Sequence, residues 1–457
     1  MRPSLCNLLL IVFIIIASCS NLNNEGWKQD AADPQRLHRS IGQVTDVIVY
    51  DIFSPPVASR IYAYVSVAAY EAVAAGDSNY VTMAGQLHGL NPLPKPEQGM
   101  DYCFELAAVE AALKVGRALV FSENRMDNFY AVIMNEFKST GMPRAVFKRS
   151  VVFGDQVADH IMAWANADNY KQTRSYPKYT IQNDPSTWKP TPPAYMDAIE
   201  PHWNSLRTFF IDSAAQFKPE SPTPFSTQKE SAFHKEALET YSVGKSLVEG
   251  QKEIAAFWDC NPFVVNVKGH VMFATKRISP GGHWINITRV ACQNTKADFA
   301  QSAEGYMLVA VSIADAFISC WDEKYRSKLI RPETYINQYI EEAWAPLLQT
   351  PPFPEYPSGH SVISSAAAVT LTRVFGEPFP FTDSTEIKYR IGARNFTSFI
   401  QASEEAAISR LYGGIHFRPA IEEGVKQGRS IGGYCMQKLK TRKQKLGSQS
   451  KSDMNQL

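Results

Sequence analysis

The chain has 457 residues, 46 Lys and Arg against 45 Asp and Glu, and a hydrophobic fraction of 45%. That apolar content excludes disorder throughout. A net charge of +1 excludes a face coated for nucleic acid, which needs a basic excess large enough to show in the total, so any anion site has to be local. At about 150 residues per domain the length allows roughly three domains, and one large helical unit fits equally.

The first apolar run, Leu8 to Ala17, follows Arg2 and precedes Ser18-Cys19. It is shorter than the ~20 residues a spanning helix needs and reads as the core of a secretory signal over residues 1–18. Ile16-Ala17-Ser18-Cys19 resembles a bacterial lipobox. That resemblance implies an exported lipoprotein held on the membrane through acylated Cys19. The five cysteines beyond it, Cys103, Cys260, Cys292, Cys320 and Cys435, are irregularly spaced with no CxxC pair, and most read as buried thiols.

Residues 19–40 are polar and read as a tether. Helical periodicity runs from Ile41 to Ala75 in two pieces split by Ser54-Pro55-Pro56, then over Tyr102 to Leu119, Asn124 to Phe137 and Phe147 to Ala165. Residues 170–225 are rich in Pro, with isolated Trp188 and Trp203. Such a stretch wraps a surface or roofs a pocket. Helix resumes over Lys229 to Trp258, Thr295 to Leu329, Ser361 to Phe375, Ile387 to Arg410 and Pro419 to Leu439. No alternating strand pattern of useful length is apparent, and residues 438–457 form a polar, basic tail.

Three C-terminal segments carry the chemistry. Lys324 and Arg331 are seven positions apart, which at about 100° per residue places them on one helical face two turns apart. Two such cations grip different oxygens of one tetrahedral anion. A solvated basic face is the alternative, against which stand Trp321 and the apolar run before it.

The Pro-rich Pro351 to Pro357 leads into Ser358-Gly359-His360 and a small, apolar helix. Helix N-termini favour anions, Gly359 lets its N–H come close, Ser358 adds a hydroxyl, and His360 transfers protons near neutral pH. An N-cap Ser beside a surface His gives the same pattern. In the third segment a helix ends at Gly413-Gly414 and another begins near Pro419, so Arg410 and His416 meet across a tight turn. Arg410 offers planar multi-donor contact and His416 a bond to the central atom. A plain helix–helix turn with a buried His reads alike.

Lys324-x6-Arg331-Pro332, then Pro357-Ser358-Gly359-His360, then Ser409-Arg410-x5-His416 together resemble the signature shared by vanadium-dependent haloperoxidases and phosphatidic acid phosphatase type 2 enzymes. The likeness to the haloperoxidase branch extends upstream through Ser54 to Arg60 and Trp188-Lys189-Pro190. It implies an all-α fold, one large helical bundle over residues 41–437 with the catalytic motifs in 318–437.

For a haloperoxidase the resemblance implies vanadate as cofactor and hydrogen peroxide and halide as substrates. His416 would be the axial ligand, Lys324, Arg331, Ser358, Gly359 and Arg410 would bind the oxyanion, and His360 would serve as acid/base. For an acid phosphatase acting on a phosphate monoester without cofactor, His416 would be the nucleophile and His360 the general acid. A non-catalytic oxyanion-binding protein is the third reading. The phosphatase pattern continues to an Asp where this chain has Ala420, leaving Glu422 or Glu423 as substitutes for orienting His416. Phe353, seven before His360, stands where fungal-type chloroperoxidases carry Phe, and with Trp321 is expected to line the pocket. His283-Trp284 and Trp258-Asp259 read as core packing or as support behind the site residues.

Overall fold

Proline and small polar residues set most helix starts. In this computed structural model residues 26–268 and 270–443 are described; the expected signal peptide, Cys19 and the tail beyond Lys443 lie outside them. The first helices are α1 (Gly26–Ala31), α2 (Gln35–Tyr50) and α3 (Pro55–Ala74). Next come α4 (Phe104–Leu119), α5 (Glu123–Ser139), α6 (Arg144–Asn166) and the single turn α7 (Tyr170–Thr173). After a long irregular strap follow α8 (Ala232–Lys245), α9 (Glu249–Phe257) and a hairpin of β1 (Val264–Lys268) and β2 (Val271–Thr275).

The C-terminal half holds α10 (Pro280–Thr295), α11 (Phe299–Ser327), α12 (Pro332–Tyr339) and α13 (Gly359–Phe375). A second hairpin, β3 (Phe381–Asp383) with β4 (Arg394–Phe396), leads to α14 (Phe399–Tyr412) and α15 (Arg418–Lys438). Pro fills the first turn of α3, α10, α12 and α15, where its missing N–H costs nothing. Asp298 and Gln301 cap α11 reciprocally.

Helix α11 is long and apolar enough to cross a membrane, but that window is buried inside the fold. It packs against α3 on one side and α13 on the other, and α13 packs against α15. One hydrophobic cluster extends from Trp27 to Leu439, so the N- and C-terminal helices share a core. Each fully buried Leu, Val or Phe in it contributes about 1.5–3 kcal/mol. Along α15, Gly424, Gly428 and Gly432 face α13 so closely that a methyl on Gly428 would stand 2.2 Å from the Val362 carbonyl oxygen.

Five local expectations are corrected. Residues 26–40 are helical rather than a tether, because Trp27, Ala31 and Leu37 enter the core. The stretch 280–295 is a helix, begun by Ser279, whose Oγ accepts the Gly282 N–H. Two short hairpins exist where no strands were anticipated, and β4 interrupts the helix expected over Ile387 to Arg410; Arg390 turns left-handed there at φ 67°. The expected Lys229 to Trp258 helix breaks at Ser246. Residues 439–443 are packed, with Leu439 buried and Thr441 and Arg442 on Glu304.

The strap over residues 170–225 closes one face of the bundle. Trp188 donates its backbone N–H to Lys328 at 2.7 Å and Ile199 donates to Pro352 at 3.0 Å. Asp315, in the middle of α11, receives the N–H groups of Phe209, Phe210 and Ile211 at 2.7, 2.7 and 2.9 Å. Burial pushes its carboxyl up to about 7 against the pull of those bonds.

Candidate functional site

A cavity of about 380 Å³ opens where α13, α14, the 351–353 turn and the strap meet. Gly359, His360, Arg410 and His416 form its polar wall, and Phe353, Trp321, Phe317, Phe263 and Ile199 are among its apolar lining. All three sequence segments converge here, by a route different from the one expected.

Lys324 and Arg331 do not share a helix. Helix α11 stops at Ser327, Lys328 turns left-handed, and Arg331 becomes the N-cap of α12, because Pro332 disfavours helix in the residue before it. Phe353 reunites the two cations. Lys324 Nζ and the Arg331 guanidinium carbon each lie 5.0 Å from its ring centroid, and Trp321 packs against the same ring. Phe353 is therefore a platform for both charges as well as part of the lining.

The cations differ in what they have left to offer. Lys324 is fully buried and places Nζ on the carbonyls of Pro354, Glu355 and Pro357, which uses its three donors. Burial pushes it down to about 7, with Arg331 adding to the fall. Arg331 donates Nε to Phe353 O at 2.9 Å and Nη1 to Ile415 O at 2.8 Å, with Nη1 also 3.1 Å from His416 Nε2. Its Nη2 is buried without a partner. Burial lowers its pKa to about 9, which still leaves it charged at neutral pH. Arg410 donates Nη1 to the Trp258 carbonyl, and its Nε is also unpartnered.

At the N-terminus of α13, Ser358 caps the helix by accepting the Ser361 N–H, and its own N–H donates to Ala420 O at 2.9 Å. A methyl on Gly359 would make only ordinary contact with Trp321 at 3.7 Å and Lys324 at 4.0 Å, so the packing itself does not demand glycine at this helix N-terminus, where free N–H groups favour an anion. His360 turns toward the cavity with Nε2 unpartnered. Burial, then Arg410, holds it well below the usual imidazole range, so it is neutral.

Sequence reasoning missed the residue that orients His416. Its Nδ1 lies 2.9 Å from Glu355 Oε1, which also accepts the Phe417 N–H at 2.9 Å. Neither Glu422 nor Glu423 does this: Glu422 is exposed and Glu423 pairs with Lys426. Burial raises Glu355 to about 7, opposed by Arg331 and Lys324, and burial together with Arg331 holds His416 neutral. With Nδ1–H donating to Glu355 Oε1, Nε2 keeps a lone pair toward Arg331 and the cavity. The available signal was a Glu inside Pro354-Glu355-Tyr356-Pro357, an apolar setting that buries a carboxylate only for a reason.

Orphaned guanidinium donors, a helix N-terminus and a lone pair on neutral His416 together suit a compact oxyanion. Residues 304–445 match the family model of the VCPO second helical-bundle domain. The crystal structure of a bacterial vanadium-dependent iodoperoxidase matches with a TM-score of 0.86 and 51% sequence identity, over 90% of this chain and 98% of that one. The chain belongs to the vanadium-dependent haloperoxidases. Two structures of a bacterial vanadium-dependent chloroperoxidase, holo and apo, match with TM-scores of 0.66 and 0.63 at 16% identity, over 85% of this chain and 93% and 95% of theirs; they support the haloperoxidase fold. No curated protein sequence matches the haloperoxidase.

Proposed function

We propose that the chain is a vanadate-dependent haloperoxidase that oxidises halide with hydrogen peroxide. The observation that carries this reading is the pairing of neutral His416, its Nδ1 turned to Glu355, with unpartnered Arg331 Nη2 and Arg410 Nε. These groups fit vanadate. His416 Nε2 would be the protein ligand to it, and Arg331, Arg410, the Ser358 hydroxyl and the Gly359 N–H would hold the oxygens. Lys324 adds charge and fixes the 354–357 turn on which Ser358 is carried. Bound vanadate supplies the Lewis-acid centre that activates peroxide toward halide.

The residues of the chain do the rest. Neutral His360 has Nε2 free to take a proton from peroxide entering the cavity. The lining of Phe263, Phe317, Trp321 and Phe353 is apolar and suits the least strongly hydrated halide. Iodide is therefore the proposed preferred substrate, in line with the iodoperoxidase relative. Export and anchoring through acylated Cys19 complete the proposal, on the strength of the Leu8 to Cys19 sequence.

The test is purified protein with and without added vanadate, assayed for peroxide-dependent oxidation of iodide, bromide and chloride and for p-nitrophenyl phosphate hydrolysis. Vanadate-dependent iodide oxidation, abolished by His416→Ala, is expected. Phosphate ester hydrolysis that vanadate inhibits, with no halide oxidation, would replace this reading with a phosphatase. Labelling with a radioactive fatty acid, lost in Cys19→Ala, tests the anchor.

A further inference from the structure

Behind the Trp258 carbonyl that holds Arg410 lies a buried cluster that halide oxidation does not use. Cys260 follows α9, His283 sits in the first turn of α10, and Glu386 lies between β3 and β4. One ligand atom of each, Cys260 Sγ, His283 Nδ1 and a Glu386 oxygen, lie within 4.8 Å of one another, and all three residues are buried. Nδ1 is 3.3 Å from Sγ and 3.2 Å from Glu386 Oε1. On the far side of the ring, His283 Nε2 is 2.7 Å from Asp383 Oδ2, and Asp383 Oδ1 takes the Thr385 N–H at 2.9 Å. Trp258 stacks on the imidazole with centroids 4.6 Å apart, which fixes its plane.

Hydrogen bonding alone leaves Glu386 unexplained. It is 1% exposed, and neither carboxylate oxygen accepts a hydrogen bond. Among the described residues its one charged contact is His283 Nδ1, a single N–H that also faces the Cys260 sulfur. The nearby arginines are engaged elsewhere, Arg277 with Asp259 and Arg410 with Trp258. Buried carboxylates are paired, hydrogen-bonded or bound to metal, and Oε2 has no hydrogen-bond partner among the described residues.

We propose that Cys260, His283 and Glu386 form a site for a zinc-class divalent cation, separate from the vanadate site. The cation takes the Nδ1 lone pair, the thiolate and the bare carboxylate, while Nε2–H donates to Asp383. Carboxylate–histidine–metal relays of this kind fix the ring and its tautomer. A mixed sulfur, nitrogen and oxygen donor set selects zinc over magnesium or calcium. With Zn–S about 2.3 Å and Zn–N and Zn–O about 2.0–2.2 Å, tetrahedral edges come to roughly 3.6 Å for S–N and 3.4 Å for N–O. The observed 3.3 and 3.2 Å fall short by only a few tenths. Cys260 reaches the cluster from a left-handed backbone at φ 42°, and it also borders the cavity, from which water supplies the fourth ligand.

The test reads metal, not turnover, so it stands apart from the proposed reaction. Protein produced with zinc in the medium and dialysed should carry about one zinc per chain, as should Cys103→Ser, whose thiol lies outside the cluster, against Glu105 and Leu106. Cys260→Ala and Glu386→Gln should lose most of it, with circular dichroism as the check on folding and vanadium uptake measured in the same samples. Cobalt(II) in the wild type should give a thiolate-to-cobalt charge-transfer band, which decides the matter even where a variant fails to fold. Wild-type protein that retains no zinc and shows no such band overturns the proposal, as does full zinc content in folded Cys260→Ala.

Discussion

Glu355→Gln isolates the charge behind His416 while preserving shape. In the wild type one oxygen, Oε1, receives both His416 Nδ1 and the Phe417 N–H, each at 2.9 Å, in a fully buried setting. The amide oxygen of Gln can accept both bonds, so what changes is their charge. Hydrogen bonds to charged groups contribute about 1.5–3 kcal/mol and neutral ones about 0.5–1.5, a loss of roughly 1–1.5 kcal/mol for each bond. Only the His416 bond bears on the vanadate ligand, so affinity should fall by about 1–1.5 kcal/mol, or roughly 5- to 12-fold at 1.4 kcal/mol per decade. This overlaps the 10- to 100-fold range of about one to two decades typical when a partner behind a metal-binding His is changed. The assay is a vanadate titration of metal-free protein, followed by iodide oxidation, with urea unfolding as a control. Vanadate affinity within about twofold of wild type would show that Glu355 does not set the basicity of His416, and would refute the reasoning.

Three further outcomes follow from the same geometry. His360 is held below its ordinary 6.5, so below that pH the unfolded chain takes a proton the fold refuses, and stability present above 6.5 is lost as pH falls. His360→Gln should flatten the acid limb of vanadate-free thermal melts by up to about 1.4 kcal/mol per pH unit; parallel limbs would contradict this. Asp315→Ala strands three buried N–H groups at about 1–3 kcal/mol each, so urea denaturation should show a loss of at least 3 kcal/mol and the strap should become the first site of proteolysis. Phe353→Leu keeps an apolar wall but removes the ring shared by Lys324 and Arg331. It should cost about 1–2 kcal/mol and weaken vanadate binding in the same titration.

The site was legible where chemistry is local in sequence. Pro357-Ser358-Gly359-His360 encodes a helix N-terminus by itself, and Gly413-Gly414 encodes the turn that brings Arg410 near His416; both are where the spacing puts them. The expectation of one helix for Lys324 and Arg331 failed because the left-handed Lys328 and Pro332 outweigh heptad spacing. Glu355 escaped notice because it is 61 positions from His416, and no periodicity links residues so far apart. Helix α10 was hidden by Gly281-Gly282 and its β-branched residues, although Ser279-Pro280 announces its start. Strands β3 and β4 are three residues each, too short for alternation to register. Cys260, His283 and Glu386 lie on three separate elements, so only the fold assembles them.

The glycine seam between α13 and α15 has a consequence for how this enzyme tolerates change. The Gly428 face is occupied to the last ångström by Val362, and Ser358, Gly359 and His360 begin the same helix only a turn away. Adding one methyl to Gly428 forces the helices apart by about 1 Å, and an error of that size is enough to spoil a preorganised site. A residue with no reactive atom and no contact with substrate thus works as a gauge block for the chemistry, and catalytic tolerance is set there by a length.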